Sequence, residues 1–394
     1  MTRPGSVRHN GVLWGVGLAL ILGVALTARL SGLGEASLDF DEYLHVLPAQ
    51  QLLVSHQPLL PSGEPYTRAL PYTVMVSQSI RWFGSSEAAV RIPSVIFGLG
   101  LVLLAGGIAT RWWGWGASAL VMTLLALHPF CLQISRVCRM YAPFHFLYLG
   151  VLWACYEGME GAHPTRRRVW WWLAAGLGAA VAFHLQPLTA DLMMGLLGYL
   201  AVQAVVTRRR IYWLPLLLVG MAGGAAVGSG VVDVAAVWHR VNTAPSYAAP
   251  WRYDYGFYLR RWWAVDPWTV ALIIPSLAWW WRQDARRGWY MACAIAIPFA
   301  LHSVIFDWKE DRYLLHLIPL MLLVVGSALW SWAEWLAQQL RPMMAQGRGN
   351  GQVWRVLPLR DPAVRPRPAT IAQALRAGGG GPRSASPTKL DHHF

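Results

Sequence analysis

IPSVIFGLGLVLLAGGIAT, residues 92–110, holds no charged side chain and is closed by an arginine at each end, Arg91 and Arg111. A helix rises about 1.5 Å per residue, so a run of this length covers roughly the 30 Å hydrocarbon core of a bilayer. Comparable apolar runs recur along the chain. They predict spans near 12–31, 92–110, 116–134, 140–157, 170–187, 189–206, 211–232, 263–281, 288–305 and 312–336, about ten in all. The expected fold is therefore all-α, a polytopic integral membrane protein. Composition agrees: the 394 residues are 56% hydrophobic and 13% charged, against about a quarter charged in a soluble domain. That is too little charge to cover the surfaces of a soluble chain of this length.

The net charge of +14 does not point to nucleic acid, because the basic clusters are not gathered on a soluble module. Arg166-Arg167-Arg168, Arg208-Arg209-Arg210 and Arg282/Arg286/Arg287 sit between apolar runs, the pattern of cytoplasmic loops. Placing the N-terminus in the cytoplasm puts Arg111, all three clusters and the basic C-terminal tail on one side. Both termini are then cytoplasmic, and the expected setting is a bacterial inner (plasma) membrane. The first apolar run follows Arg3 and Arg8, as a signal peptide would. Its charge-free stretch from Asn10 to Ala28 is longer than a usual signal core and favours a span. Cys131, Cys138, Cys155 and Cys293 show no metal-binding spacing, and three lie within expected spans, so packing is their expected role.

This topology divides the chain into a membrane domain, 1–336, and a tail, 337–394, whose Gly-, Pro-, Arg- and Ser-rich composition (ending GGGGPRSASPTK) predicts disorder. Two external loops are long enough for chemistry. Loop 32–91 holds Leu38-Asp39-Phe40-Asp41-Glu42-Tyr43-Leu44-His45; loop 233–262 is rich in Trp, Tyr and Arg.

Three carboxylates within four residues repel one another and need a reason. Either Asp39 or Asp41 caps a short helix with Glu42 in its first turn, or one carboxylate is a general base at the lipid interface. On a helix His45 would share a face with Asp41 at i,i+4 and with Glu42 at i,i+3. Two ligands alone do not make a metal site, although a divalent ion is conceivable there. A second cluster, Ser135-Arg136-Val137-Cys138-Arg139-Met140-Tyr141, puts two arginines on the side otherwise poor in them. They either snorkel and pair with acids or clamp a phosphate through bidentate hydrogen bonds. A third, Lys309-Glu310-Asp311-Arg312-Tyr313, allows mutual ion pairing or a ligand role. His184, near Pro187 and Asp191 in an apolar run, reads as a packing residue or an intramembrane polar group.

The order of the motifs resembles the GT-C class of polyprenyl-phosphate-sugar glycosyltransferases. Leu70-Pro71-Tyr72 and Arg81-Trp82-Phe83-Gly84 lead into Arg91-Ile92-Pro93-Ser94, then Ala126-Leu127-His128-Pro129 and Ser135 to Tyr141, and finally Arg312-Tyr313-Leu314-Leu315. Within the class the resemblance is to protein O-mannosyltransferases, bacterial lipid A aminoarabinose transferases and Rgt-like transferases, over roughly residues 10–330. It departs at Met140-Tyr141, where some members carry Pro-Asp, at His316, which replaces a proline, and in lacking a large soluble C-terminal domain.

The resemblance implies a catalytic base at Asp41 with Glu42 as its acidic neighbour, and donor-phosphate contacts from Arg136, Arg139, Arg312 and Tyr313. The expected reaction is inverting transfer of a sugar from a polyprenyl-phosphate donor to an acceptor hydroxyl of a protein, lipid or glycan at the outer face. The resemblance fixes no cofactor, and a divalent metal is conceivable. His45, Tyr253, Tyr255 and Tyr258 are the expected sugar or acceptor contacts, in a preformed cavity between the two loops with Asp41 at its floor. The competing reading is a transporter or lipid flippase, whose ionisable groups belong near the bilayer midplane.

Overall fold

A computed structural model describes residues 11–230, 235, 239, 253–307 and 309–346. Among them the regular structure is helical, apart from one isolated bridge between Leu59 and Pro65. The helices are α1 (Gly11–Leu30), α2 (Phe40–Ser55), α3 (Leu70–Phe83), α4 (Glu87–Trp113), α5 (Trp115–Leu127), α6 (Pro129–Ser135) and α7 (Tyr141–Glu160). They continue as α8 (Thr165–Leu185), α9 (Thr189–Thr207), α10 (Arg210–Gly228), α11 (Phe257–Val265), α12 (Pro267–Gln283), α13 (Ala285–Ala300) and α14 (Ile318–Gln346). Most of loop 233–262 and the tail beyond Gln346 lie outside the described residues.

The chain is a multi-pass, all-helical membrane protein. Among the described residues four stretches are long and apolar enough to cross alone: Glu87–Trp113, Thr189–Thr207, Ala285–Ile305 and Leu315–Arg341. The expected straight span 116–134 is instead a pair, α5 and α6, bent by 64°. The break falls at His128, which has extended backbone because Pro129 disfavours helical geometry in the residue before it. The last helix runs on to Gln346 rather than ending near 336.

Helix α4 is the hub, packing against α1, α3, α5, α6 and α7. Ser86 caps its start. Gly114, at φ +97°, lets the chain turn directly into α5, a conformation that favours a residue without Cβ. Gly98 is needed for closeness: a Cβ there would meet Ser135 Oγ at 2.1 Å and Arg29 Nε at 3.1 Å. Arg29 is buried in that gap and donates to the carbonyls of Ala25 (3.0 Å) and Ala126 (3.1 Å), tying α1 to the end of α5. Burying a guanidinium is costly unless its donors find acceptors, and the carbonyls freed by the break at His128 supply them.

Loop 32–91 is not irregular. It folds into α2 and α3, which pack on each other, and α3 packs on α4. The acidic cluster therefore stands against the first turn of α4 rather than on a free loop.

Candidate functional site

The acidic cluster divides its labour. Asp39 is the N-cap of α2: its Oδ1 accepts the Glu42 N–H at 2.8 Å, while Glu42 Oε2 accepts the Asp39 N–H at 3.1 Å. This reciprocal capping box accounts for Asp39 without any chemistry.

Glu42 is buried. Its Oε1 accepts from Arg91 Nε at 2.9 Å and from the Cys138 N–H at 2.6 Å, and its Oε2 accepts from Arg91 Nη2 at 2.7 Å. Burial pushes the carboxyl up, but the Arg91 guanidinium and the Cys138 amide reverse this and hold it below its ordinary value. Both oxygens of Glu42, the expected acidic neighbour of the base, are occupied by protein donors. Arg91 also donates to the carbonyls of Leu33 (2.8 Å), Ala36 (2.9 Å) and Ser37 (3.2 Å), fastening the chain that leads into α2.

Asp41 differs from both neighbours. Its side chain keeps 36% of its exposure, and Oδ2 lies 2.9 Å from Arg312 Nη1 and 3.3 Å from Arg139 Nη2. Arg139 also donates through Nη1 to the Asp41 carbonyl at 2.6 Å. Arg139 is buried, its Nε has no hydrogen-bond partner among the described residues, and its guanidinium stands 5.6 Å from the Tyr141 ring centroid. Arg312 is half-exposed and pairs on its other side with Glu310. Burial works against the Arg312 charge, but Tyr141 and Glu310 outweigh it and push its pKa up.

These contacts explain why the motifs occur together. Arg91 grips Glu42. Ser94, one turn on, donates to the Arg139 carbonyl at 3.3 Å and bonds the Tyr72 hydroxyl at 2.7 Å. Arg139 then holds Asp41. The arginine–serine pair of α4, the arginine after α6 and the paired acids are one interlocked unit.

The other expected contacts separate. Arg136 turns aside and donates to the Ala28 carbonyl at 2.9 Å, a cap for the end of α1; a cation there satisfies an orphaned carbonyl. His45 is buried under the site, not facing a ligand. Its Nδ1 lies 3.2 Å from Thr73 Oγ1, and its ring meets Tyr66 and Tyr72 edge-on. Burial, with Arg139 and Arg68 nearby, pulls its pKa down to about 3, so it is a neutral packing group. Tyr258 is likewise buried, packed against Phe257 and His302. Tyr253 and Tyr255 are exposed, and Tyr313 shares the 3-10 turn of Arg312. A cavity of about 120 Å³ is lined by Tyr258, Phe130, Arg261, Trp262 and Asp311 among others. Among the described residues no three His, Cys, Asp or Glu side chains group as a metal site.

One buried cluster escapes the sequence reading. Asp191, in the first turn of α9, lies 3.0 Å from His302 Nε2 and 3.3 Å from His316 Nε2 through the same Oδ2. His302 is in a π-turn (Leu301–Ile305) and His316 in a 3-10 turn (Leu315–Leu317). They bracket the loop that carries Arg312: Asp191 hydrogen-bonds His302 at one end and stands close to His316 at the other. Lys309 seals it from within by donating to the carbonyls of His302 (3.2 Å), Ser303 (2.8 Å) and Phe306 (3.0 Å). His184, the expected neighbour of Asp191, is exposed on α8 instead. The legible clue was three polar residues at the ends of apolar runs, where an unpaired group is expensive.

Comparison with known proteins bears on this geometry. Residues 69–227 match the family model described as dolichyl-phosphate-mannose-protein mannosyltransferase. A search of the curated proteins finds no match. Among solved structures, the chain is similar to ArnT from Cupriavidus metallidurans bound to undecaprenyl phosphate, with TM-score 0.63 and 18% identity over 83% of this chain. The same protein in the apo state gives TM-score 0.57 and 17% identity. The chain spans 63% of the length of that ArnT. The fold is therefore similar to that of ArnT, and residues 69–227, which carry part of the motif series, are matched again by the family model.

Proposed function

We propose, from this transferase fold and the setting of Asp41, that the protein is a membrane glycosyltransferase. It moves a sugar from a polyprenyl-phosphate carrier to an acceptor hydroxyl at the outer membrane face, with Asp41 as general base. The observation that supports this best is one carboxylate oxygen in contact with both Arg139 and Arg312. A base and two guanidiniums must act on a single sugar phosphate, so they have to stand this close.

In the reaction the acceptor O–H gives its proton to Asp41 as its oxygen forms a bond to the anomeric carbon. The bond from that carbon to the phosphate oxygen breaks with its electron pair, and the carrier leaves as a phosphate. The new negative charge is met by guanidinium, which offers bidentate donors and does not lose its own charge. Half-exposed Arg312 is the group that moves. As it turns from Asp41 to the phosphate, it frees that carboxylate oxygen to take the acceptor's proton. Buried Arg139 keeps its Nη1 on the Asp41 carbonyl, which holds the base in place, and offers its Nη2 to the phosphate. Glu42, Arg91, Arg136 and His45 position; Tyr253, Tyr255 and Tyr313 are the aromatics left to face substrate.

Retention of undecaprenyl phosphate by the purified protein, read by native mass spectrometry, tests the clamp. Arg139→Ala and Arg312→Ala are each expected to weaken retention at least tenfold, the loss of about 1.5–3 kcal/mol from a charge-assisted contact. Arg136→Ala is expected to leave it unchanged. Equal retention by all four proteins would remove the phosphate from this place.

The Asp191 fastening gives a further expectation. Asp191→Asn should lower turnover by about a hundredfold, because a displacement near 1 Å in a reacting group costs that much. Helix content, followed by circular dichroism, should stay constant. Wild-type turnover would mean that the loop holds Arg312 without Asp191. The transporter alternative gains nothing from this cluster, since its acid serves the loop beside Asp41 rather than a path between faces.

A further inference from the structure

Arg91 and Trp112 stand at opposite ends of α4, about 30 Å apart at 1.5 Å per residue. Around Trp112, on the membrane face away from Asp41, lies a cavity of about 520 Å³. That is within the size range of small-molecule sites. Its wall includes Trp113, Trp279, Trp280, Trp335, Arg287 and Glu334.

The wall has two chemically distinct poles. On one, the indole N–H groups of Trp279 and Trp280 are buried donors without a partner among the described residues. Trp280 is almost wholly enclosed, and an unsatisfied buried donor is costly enough to call for an acceptor. Beside them is Arg287, stacked 5.4 Å from the Trp112 ring centroid and 5.9 Å from that of Trp113. It is held by the Trp112 carbonyl at 3.2 Å and by Asp284 at 3.3 Å. Three donors, one of them cationic, suit a phosphate. The other pole is Glu334, an exposed carboxylate on α14 next to Trp335. A carboxylate beside aromatic faces suits an ammonium.

Aromatic residues at this depth belong to the headgroup layer, so the ligand with both charges is at hand in the adjoining leaflet. We propose that this cavity binds the phosphate–ammonium headgroup of a zwitterionic phospholipid, with Arg287, Trp279 and Trp280 on the phosphate and Glu334 with Trp335 on the ammonium. Phosphatidylglycerol, whose headgroup beyond the phosphate is a neutral diol, would leave the Glu334 carboxylate without a counter-charge. An interfacial aromatic belt alone would hold both kinds of lipid equally.

The test titrates the purified full-length protein with phosphatidylethanolamine or phosphatidylglycerol of identical acyl chains and counts bound lipid by native mass spectrometry. The wild type should prefer phosphatidylethanolamine. Glu334→Gln, on an exposed helical surface where folding is not at risk, should weaken phosphatidylethanolamine about tenfold and leave phosphatidylglycerol unchanged. Equal retention of the two lipids by the wild type would overturn the proposal, and so would an unchanged preference in Glu334→Gln. The outcome is independent of sugar transfer, because no residue of this wall touches the Asp41 site.

Discussion

Asp41→Asn is expected to lower turnover by about two to four orders of magnitude, the range that a positioned general base contributes. The fold should survive. Asparagine keeps the size of the side chain, and the main-chain carbonyl that Arg139 reaches at 2.6 Å is untouched. The internal control is two residues away. Asp39 works only as the N-cap of α2, and asparagine caps a helix about as well as aspartate. Asp39→Asn should therefore be nearly silent in both activity and stability. Steady-state transfer kinetics and thermal unfolding of the two variants separate the roles. Equal, mild effects would return the whole acidic cluster to capping.

The largest effect on stability is expected at Glu42. Removing it as Glu42→Ala leaves Arg91 as a buried cation without its carboxylate, and breaking a buried pair in this way costs about 3–5 kcal/mol. The melting temperature in detergent should fall accordingly. A paired replacement, Glu42→Leu with Arg91→Met, should recover part of the loss, since no lone charge remains. The pH dependence has a definite sign. The folded Glu42 carboxyl is held below its ordinary value by Arg91 and the Cys138 amide, and an unfolded glutamate titrates near about 4.3. Its contribution is complete above that pH and disappears as the pH falls through the lower, folded value. Glu42→Gln should flatten this acid limb. An unchanged limb would locate acid lability in other carboxylates.

The sequence carried the membrane setting and the partners of the chemistry, but not how they are joined. Apolar runs flanked by arginine fix where helices lie, because every backbone group in lipid must be satisfied within the segment. The motif order brought Asp41, Arg139 and Arg312 forward, and the fold brings all three into contact. Pattern gave no view of contacts across long stretches of chain, such as Glu42 with Arg91 or Asp191 with His302 and His316. A periodicity rule sees one helix at a time. The resemblance named Glu42, Arg136 and His45 for the site but not their partners, which are Arg91, the Ala28 carbonyl and Thr73. The break in the third span was legible after all: a histidine followed by Pro129 marks a place where a helix cannot run straight through. Arg29 was legible in the same way, as a charge at the end of an apolar run that has to find acceptors.

The central claim is that Asp41 takes the acceptor's proton while its arginines hold the carrier's phosphate. Its most direct measurement is the mass of the lipid that copurifies with the protein from its native membrane, compared between the wild type and Asp41→Asn. A protein that still binds donor but cannot complete transfer should accumulate it. The account predicts an intact polyprenyl-phosphate sugar on Asp41→Asn and mainly the bare polyprenyl phosphate on the wild type. The same lipid on both proteins, with no lipid-phosphate sugar on either, would contradict it.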